Sequence, residues 1–214
     1  MPDADPNLPT DANDAPEAAA ATGRRRPKPG ERRVQILQAL ATMLEQPGAE
    51  RITTAALAGR LQVSEAALYR HFASKAQMFE GLIDFIEQSV FTLINQIQER
   101  HPGDPARQAA GIVTMLVQFA ERNPGMTRVM VGDALVFENE RLQQRMNQFF
   151  DKVESALRQC LRADATASAT PTVDAQVRAS LLTAFAVGRL QRFARSGFKR
   201  LPSEFLEDSL NRIL

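Results

Sequence analysis

The sequence predicts an all-α protein, and three observations support this fold class. Apolar residues recur with a helical period of 3.6 along most of the chain from residue 31 onward. Ser or Thr precedes several of these segments and Pro or Gly follows them, as is typical of helix starts and stops. The alternation of apolar and polar residues that predicts β-strands is not evident.

The first three predicted helices are short and closely spaced. The first begins near Glu31 and carries an apolar stripe that ends at Pro47-Gly48. Thr53 or Thr54 is expected to cap the second helix, and Ser64 the third. Such a rapid succession of helix starts favours a helix that is presented to something outside the protein.

The later helices are longer. The fourth follows Ser74 and runs to about Arg100, where His101-Pro102-Gly103 stops it. The chain should therefore divide into a tail at 1–30, a small unit at 31–75 and a larger helical unit at 76–214. The further helices are predicted at 105–122, 124–136, 137–162, 173–196 and 203–213, with a loop of small residues between 162 and 173.

Composition excludes several classes of protein. The net charge of +1 over 214 residues predicts no partner by itself, so any affinity for nucleic acid must come from a local cluster. Cys160 is the only cysteine, which excludes an internal disulfide and a multi-cysteine metal site. There is no apolar run of about 20 residues and no secretory signal, so we expect a cytoplasmic protein without cofactor or metal.

The charge changes sign within the N-terminal tail. Residues 1–23 hold five acidic residues and no Lys or Arg, a composition that predicts disorder. Residues 24–33 then hold six positive charges against Glu31 alone. We interpret this run as a basic arm on the minor groove or on phosphates, with a solvated charge run, or an arm held by the acidic tail, as the alternatives.

The second and third helices match a helix-turn-helix, with Gln62-Val63-Ser64 as the turn. In this motif the first helix braces the second, which enters the major groove N-terminus first. Ala66 and Ala67 keep the leading face of the third helix narrow enough to approach base edges. The alternative is a capped core helix in which Tyr69 and His71 only pack.

The run RITTAALAGRLQVSEAALYRHFASKAQMF closely resembles the DNA-binding domain of the TetR-type regulators. One departure is Gln62, where that family often has Gly, so this residue is expected to need a positive φ. The basic arm, the helix caps and the third helix together give the expected DNA-binding residues. They are Arg24, Arg25, Arg26, Lys28, Arg32, Thr53, Thr54, Ser64, Glu65, Ala66, Ala67, Tyr69, Arg70, His71 and Lys75.

The second half resembles a branch of the same family that acts in nucleoid occlusion. The likeness covers roughly residues 31 to 205 and includes QFAERNPGMTRVMVGDALVFENERLQQRMNQFFDKVESALRQCLR and FAVGRLQRFARSGFKRLP. It implies a homodimer on palindromic chromosomal sites, with one or two dimers per site. When DNA-bound, such a dimer antagonises the tubulin-like division protein FtsZ, inhibits septation over the nucleoid and needs no small-molecule ligand.

We expect the FtsZ surface to include Phe85, Arg122 and Asn123. Phe85 lies on a second apolar line of the long fourth helix, beside the core stripe, while Arg122 and Asn123 stand at a corner between two helices. Core packing and helix capping are the ordinary alternatives. Leu93 departs from the basic residue expected in this branch.

A seam between two copies is expected on the helix near 173–196, where large apolar residues alternate with small ones. The alternative is an intrachain core. The candidate residues are Leu181, Leu182, Phe185, Gly188, Leu190 and Phe193.

A ligand-controlled TetR-type transcriptional repressor is the alternative function, and it would enclose an apolar cavity of about 300 Å3 or more. Nucleoid occlusion predicts instead an interior filled by Phe119, Met130, Phe137, Phe149 and Phe150. The sequence holds none of the G-x-S-x-G, phosphate-loop or H-E-x-x-H motifs, so no enzymatic activity is expected.

Overall fold

The structure is a computed structural model that describes residues 30–46, 52–164 and 169–214. Every regular element in these ranges is helical, which confirms the all-α prediction. The predicted acidic tail and the helix stop at Pro47-Gly48 lie outside the described residues. The elements are α1 (Glu31–Leu44), α2 (Thr54–Leu61), α3 (Glu65–Tyr69), α4 (Lys75–Arg100), α5 (Pro105–Arg122), α6 (Pro124–Met130), a 3-10 turn (Asp133–Leu135), α7 (Glu140–Asp164), α8 (Pro171–Arg195) and α9 (Leu206–Ile213).

The join between α6 and α7 differs from the abutting helices predicted at 124–136 and 137–162. Helix α6 ends at Met130, and Gly132 then takes a φ of 86°. This left-handed conformation interrupts an α-helix and is favourable for glycine. The chain passes through the 3-10 turn, and α7 begins only at Glu140. The apolar pattern alone therefore placed both boundaries wrongly.

The other helix boundaries agree with the sequence prediction to within about three residues. Helix α5 has the predicted bounds, and α8 begins at Pro171 rather than at 173. Helix α9 begins at Leu206 rather than at 203, because Phe205 has a φ of 51° and stands outside the helix.

A continuous apolar core joins α1 to the helices behind it. Ile36 and Leu40 of α1 and Phe79 and Ile83 of α4 are fully buried in one cluster, which continues into α5, α7 and α8. Burial of this kind is the main favourable contribution to folding. The small N-terminal unit is therefore packed against the larger unit.

Aromatic side chains fill the rear of this core, with one exception. Phe149 is buried, and its ring centre lies 5.8 Å from that of Phe91 and 5.0 Å from that of Phe150, both edge to face. Met130 and Phe119 also pack in this core, as predicted. The prediction was wrong for Phe137, which follows the 3-10 turn and is 68% exposed.

Helices α1 and α6 approach each other so closely that Gly125 has no room for a side chain. A Cβ atom at this position would lie 1.9 Å from the carbonyl oxygen of Ala41. Pro124 supplies the first residue of α6, a position at which proline is favourable. The Asn-Pro-Gly run thus starts a helix and lets it pack directly on α1.

Charged side chains join α4 to α7 along one edge. One guanidinium nitrogen of Arg145, Nη2, lies 2.8 Å from Asp84 Oδ1 and 2.8 Å from Glu87 Oε2. Lys152 Nζ lies 3.4 Å from the other oxygen of Glu87. Burial opposes the charge of Arg145, but hydrogen bonds and Coulombic attraction from the two carboxylates outweigh it and raise the pKa of the guanidinium. Arg145 therefore stays charged and fixes α7 on α4.

Candidate nucleic-acid interface and partner surface

Helices α2 and α3 form a short pair whose N-termini are both capped by side chains. Thr53 Oγ1 accepts a hydrogen bond from the amide of Ala56 at 3.1 Å, and Ser64 Oγ accepts one from the amide of Ala67 at 3.2 Å. These bonds satisfy amides that a helix start leaves without an intrahelical partner. The structure thus confirms that Thr53, and not Thr54, caps α2 and that Ser64 caps α3.

Gln62 ends α2 in the left-handed conformation, with φ 54° and ψ 47°. Its amide donates to the carbonyl of Gly59 and the amide of Val63 donates to the carbonyl of Ala58, both at 3.1 Å. This is the closing pattern of a helix that favours glycine after its last turn. The expectation that Gln62 needs a positive φ is confirmed.

Thr54, Glu65 and Tyr69 are linked at the tip of the helix pair. The Tyr69 hydroxyl donates to Thr54 Oγ1 over a long distance of 3.5 Å, and Thr54 Oγ1 donates to Glu65 Oε2 at 2.5 Å. Glu65 and Tyr69 are exposed, Thr54 is half-buried, and the small Ala66 beside them is exposed. The structure therefore brings these predicted DNA-binding residues together on one surface.

The basic residues around this tip differ in their roles. Arg33 donates through Nη1 to the carbonyl of His71, and its guanidinium carbon lies 4.1 Å from the ring centre of Phe72. This contact anchors α1 to the end of α3. Arg32 donates to Gln35 Oε1 at 3.1 Å within α1, while Arg70 is exposed and the His71 side chain is half-buried. The predicted contacts Arg24, Arg25, Arg26 and Lys28 lie outside the described residues.

Lys75, at the start of α4, pairs with a carboxylate from the rear of the molecule. Its Nζ lies 2.5 Å from Glu138 Oε1, and the Glu138 side chain is only 10% exposed. Sequence reasoning gave Glu138 no role, because no local signal links it to a residue 63 positions earlier. A predicted phosphate contact is thus tied to the segment between the 3-10 turn and α7.

The predicted partner surface consists of an exposed ring, an exposed cation and a helix cap. Phe85 is 47% exposed on α4, and Arg122 is exposed at the end of α5. The Asn123 side chain donates through Nδ2 to the carbonyl of Phe119 at 2.7 Å, so it stabilises the corner between α5 and α6. Leu93 is half-buried on α4.

Phe85 and Arg122 lie at similar heights on neighbouring antiparallel helices. The side-chain amide of Gln108 donates to the carbonyl of His101 at 2.8 Å, and a Cβ on Gly111 would lie 3.0 Å from Ile97 Cγ2. From that contact, Arg122 is about 17 Å along α5 and Phe85 about 18 Å back along α4 at 1.5 Å per residue.

Three of the six residues predicted for the dimer seam belong instead to the core of one protomer. Leu182, Leu190 and Phe193 are fully or almost fully buried, so they have no surface to offer to a second copy. Leu181 is 55% exposed, and Phe185 and Gly188 are half-buried. Sequence reasoning missed the exposed Val177 and Val173, which lie one and two helical turns before Leu181 on the same side of α8.

The described residues show no cluster of His, Cys, Asp and Glu that could bind a metal ion. Cys160 is buried, and its sulfur accepts a hydrogen bond from Gln98 Nε2 at 3.2 Å. Burial raises the pKa of the Cys160 thiol, which keeps it protonated and unreactive. None of the described helices is both long and apolar enough to span a membrane.

Comparisons with known proteins place this fold in a class. A TetR-like transcriptional regulator from Rhodococcus sp. RHA1 matches with a TM-score of 0.67 at 18% identity, over 88% of this chain and 97% of that one. The fatty acid degradation regulator FadR from Bacillus halodurans matches with a TM-score of 0.68 at 13% identity, over 87% and 96%. Residues 36–82 match the family described as bacterial regulatory proteins, tetR family. The chain therefore has the fold of the TetR-type regulators.

The rest of the chain identifies the branch. Residues 107–213 match the SlmA-like family described as tetracyclin repressor-like, C-terminal domain. The nucleoid occlusion factor SlmA of Idiomarina loihiensis is 53% identical over 81% of this chain and 88% of its own length. SlmA of Colwellia psychrerythraea is 50% identical over 86% and 92%. The chain belongs to the SlmA family of nucleoid occlusion factors.

Proposed function

We propose that this protein binds palindromic chromosomal DNA as a homodimer and, in the DNA-bound state, antagonises FtsZ polymerisation. Septa would then not form over the nucleoid, with which the protein is associated. The observation that carries the proposal is the 53% identity to SlmA over most of both chains. The same relatives disfavour a ligand-controlled repressor.

The interior of the helical unit supports the same choice. Phe149 and Met130 are buried at its centre, where a ligand-controlled repressor would need space for an apolar molecule. A cleft of about 450 Å3 is lined by exposed residues such as Val173, Val177 and Arg158, at the surface between α7 and α8. This cleft is next to the proposed seam between copies.

Residues 31–75 form the proposed DNA-binding unit. The tip of α2 and α3 would enter the major groove, with the backbone amides at Thr53 and Ser64 near phosphates. Arg70 and Lys75 would neutralise further phosphates, and the basic run before Gly30 would extend this contact. The alanines of α3 would let the backbone come close to base edges.

The exposed face of α8 is the proposed seam between two copies, within the unit at 76–214. Val173, Val177 and Leu181 expose an apolar line that Phe185 and Gly188 continue. Pairing along this line would set two reading helices about 34–36 Å apart, one turn of DNA. We expect Leu181→Asp to give a monomer with weak DNA binding, by light scattering and gel shift. Ser180 is exposed and directly precedes Leu181, so Ser180→Asp is the matched control and should remain dimeric.

FtsZ would bind the surface around Phe85 and Arg122, with Asn123 holding the corner in place. The test is sedimentation of FtsZ polymers with this protein, with and without duplex DNA that it binds. We expect the DNA-bound dimer to reduce the pelleted FtsZ. Arg122→Glu should keep its DNA affinity and lose this effect, whereas Arg107→Glu, at the exposed far end of α5, should retain it.

Two results would contradict parts of the proposal. Equal polymer loss with Arg122→Glu and the unchanged protein would move the FtsZ surface elsewhere. Undiminished polymers with DNA-bound wild-type protein would remove FtsZ antagonism altogether, while leaving membership of the DNA-binding family intact.

A further inference from the structure

We infer that Glu65 reads a cytosine in each DNA half-site by accepting a hydrogen bond from the cytosine N4 amino group. Thr54 is a positioning residue, because it acts on the base through Glu65. This inference rests on the proposed binding of the α2–α3 tip to DNA and names a base that the tip selects.

The first argument is the direction of the hydrogen bonds at the tip. A hydroxyl group donates one proton, so the Tyr69 hydroxyl is directed at Thr54 and the Thr54 hydroxyl is directed at Glu65 Oε2. This series of hydrogen bonds ends on a carboxylate, which can only accept hydrogen bonds. The Thr54 hydroxyl proton is thus committed, and Glu65 Oε1 remains as an acceptor with no hydrogen-bond partner among the described residues.

The second argument is the lack of competing groups on the leading turn of α3. Ala66 and Ala67 have no polar side-chain atom, and Ser64 Oγ already accepts from the amide of Ala67. On the neighbouring helix, Thr53 Oγ1 accepts from the amide of Ala56. Both hydroxyls keep a proton to donate. The Glu65 carboxylate is therefore the charged acceptor that this turn offers to a base amino group.

The third argument is electrostatic. A carboxylate that approaches DNA is repelled by the phosphates, and only a hydrogen-bond donor on a base edge offsets this repulsion. In the major groove the exocyclic donors are cytosine N4 and adenine N6. Adenine carries the N7 acceptor beside N6, which disfavours a carboxylate, so cytosine is the better complement.

Glu65 also stands at the first position of α3, where a negative charge is favourable to the helix dipole. That role explains the charge but not the bond from Thr54, which comes from another helix and fixes the carboxylate's orientation. A purely capping Glu65 predicts a change in thermal stability on substitution without a change in base preference. The two roles therefore have separate readouts.

The experiment selects duplexes from a pool of randomised sequence with the full-length dimer, for wild type, Glu65→Gln and Glu65→Ala. We expect wild type to require cytosine at one position of each half-site and to lose about tenfold in affinity when that base pair is replaced. Glu65→Ala should show no base preference at that position and the wild-type preferences at the other positions. Glu65→Gln should prefer adenine there, since an amide both accepts from N6 and donates to N7.

Thr54 provides a matched pair of variants. Thr54→Val removes the hydroxyl and should weaken the cytosine preference, whereas Thr54→Ser keeps the hydroxyl and should retain it. Affinity for non-specific DNA should rise for Glu65→Gln, because one negative charge per protomer leaves the interface. Each variant alters an exposed or half-buried side chain, so the fold should be retained. Thermal unfolding of each variant checks this.

A Glu65→Ala profile identical to that of wild type at every position would overturn the inference while leaving the proposed DNA-binding function standing. Cytosine preference that survives Thr54→Val as fully as Thr54→Ser would remove the positioning role. A wild-type dimer that enriches no sequence would instead contradict the proposed function, and the inference with it.

Discussion

The proposed DNA-binding front of the molecule, residues 31–75, and the helical body behind it, residues 76–214, are stabilised in different ways. Helices α2 and α3 have eight and five residues, each has a side-chain cap, and between them they bury only Leu57, Ala58 and Leu68. Helices α4 and α7 have 26 and 25 residues and are joined by a core stripe and by the Arg145 ion pairs. Short isolated helices are marginal in water, so the front depends on caps and on its attachment to the body.

Because of this difference, substitutions that affect function and substitutions that affect stability fall mostly in different parts of the molecule. Most exposed side chains of the front can be changed at small cost to the fold, because they contact little. The contacts that attach the front to the body affect both function and stability, and two of them are visible in the described residues. They are the packing of Gly125 on Ala41 and the Lys75–Glu138 pair.

Gly125→Ala should have the largest effect on stability, because it pushes α6 away from α1. The new methyl group would lie 1.9 Å from the carbonyl oxygen of Ala41, and a backbone atom cannot move aside as a flexible side chain can. We expect a loss of about 3 kcal/mol in the free energy of unfolding, at the upper end for overpacking. Denaturant unfolding followed by circular dichroism measures it.

Gly59→Ala is the matched control in the front. Apart from its chain neighbours and the nearby backbone of its own helix, no atom lies within 4 Å of a Cβ at this exposed position. The substitution should therefore add roughly 0.5–1 kcal/mol to the free energy of unfolding through helix propensity. Equal effects of the two substitutions would mean that α1 and α6 are not in close contact, and the attachment argument would be wrong.

Glu138→Gln should have the next largest effect, since it breaks the ion pair between front and body. Lys75 loses its carboxylate in a largely buried setting, and we expect a cost of about 1–2 kcal/mol, less than for a fully buried pair. The freed Lys75 ammonium would be available to a phosphate, so DNA affinity at low salt should rise by about threefold. Unfolding and gel-shift titrations measure the two effects.

Glu140→Gln makes the same change of charge two residues later, at an exposed position. It should cost no more than about 0.5 kcal/mol, from the start of α7, and leave DNA affinity unchanged. If both variants tighten DNA binding equally, net charge and not Lys75 is the cause, and the pair does not couple front to body.

The front was more predictable from the sequence than the body, because its features arise from interactions between residues that are close in the sequence. The caps at Thr53 and Ser64 and the positive φ of Gln62 arise within a few residues of each feature. The roles of Leu182, Phe137 and Glu138 depend on which distant helix lies beside them. An apolar period identifies one helix face but does not say whether that face meets its own chain or another copy.

The candidate site shows the same division. The prediction that Thr54 and Tyr69 belong to the DNA-binding surface rests on local sequence and on the TetR-type resemblance. The bond from Thr54 to Glu65 joins two helices across a turn, so only the structure places it. Likewise, Arg33 is one of six positive charges in its run, and only packing on Phe72 distinguishes it from the others.

Gln62→Gly should have the smallest effect and the opposite sign. Gln62 has a φ of 54°, a conformation that costs a residue with a side chain about 1 kcal/mol and costs glycine little. Glycine also has more freedom in the unfolded chain, so we expect a net gain of roughly 0.5 kcal/mol in the free energy of unfolding.

Gln88→Gly tests this explanation, because Gln88 is exposed on the right-handed helix α4. The same chemical change there should cost about 1 kcal/mol. Base selection by the Gln62→Gly protein should match that of wild type, since Gln62 is not among the expected DNA-binding residues. A loss of stability at both positions would show that the left-handed turn is not a source of strain, and that the front tolerates a side chain there without cost.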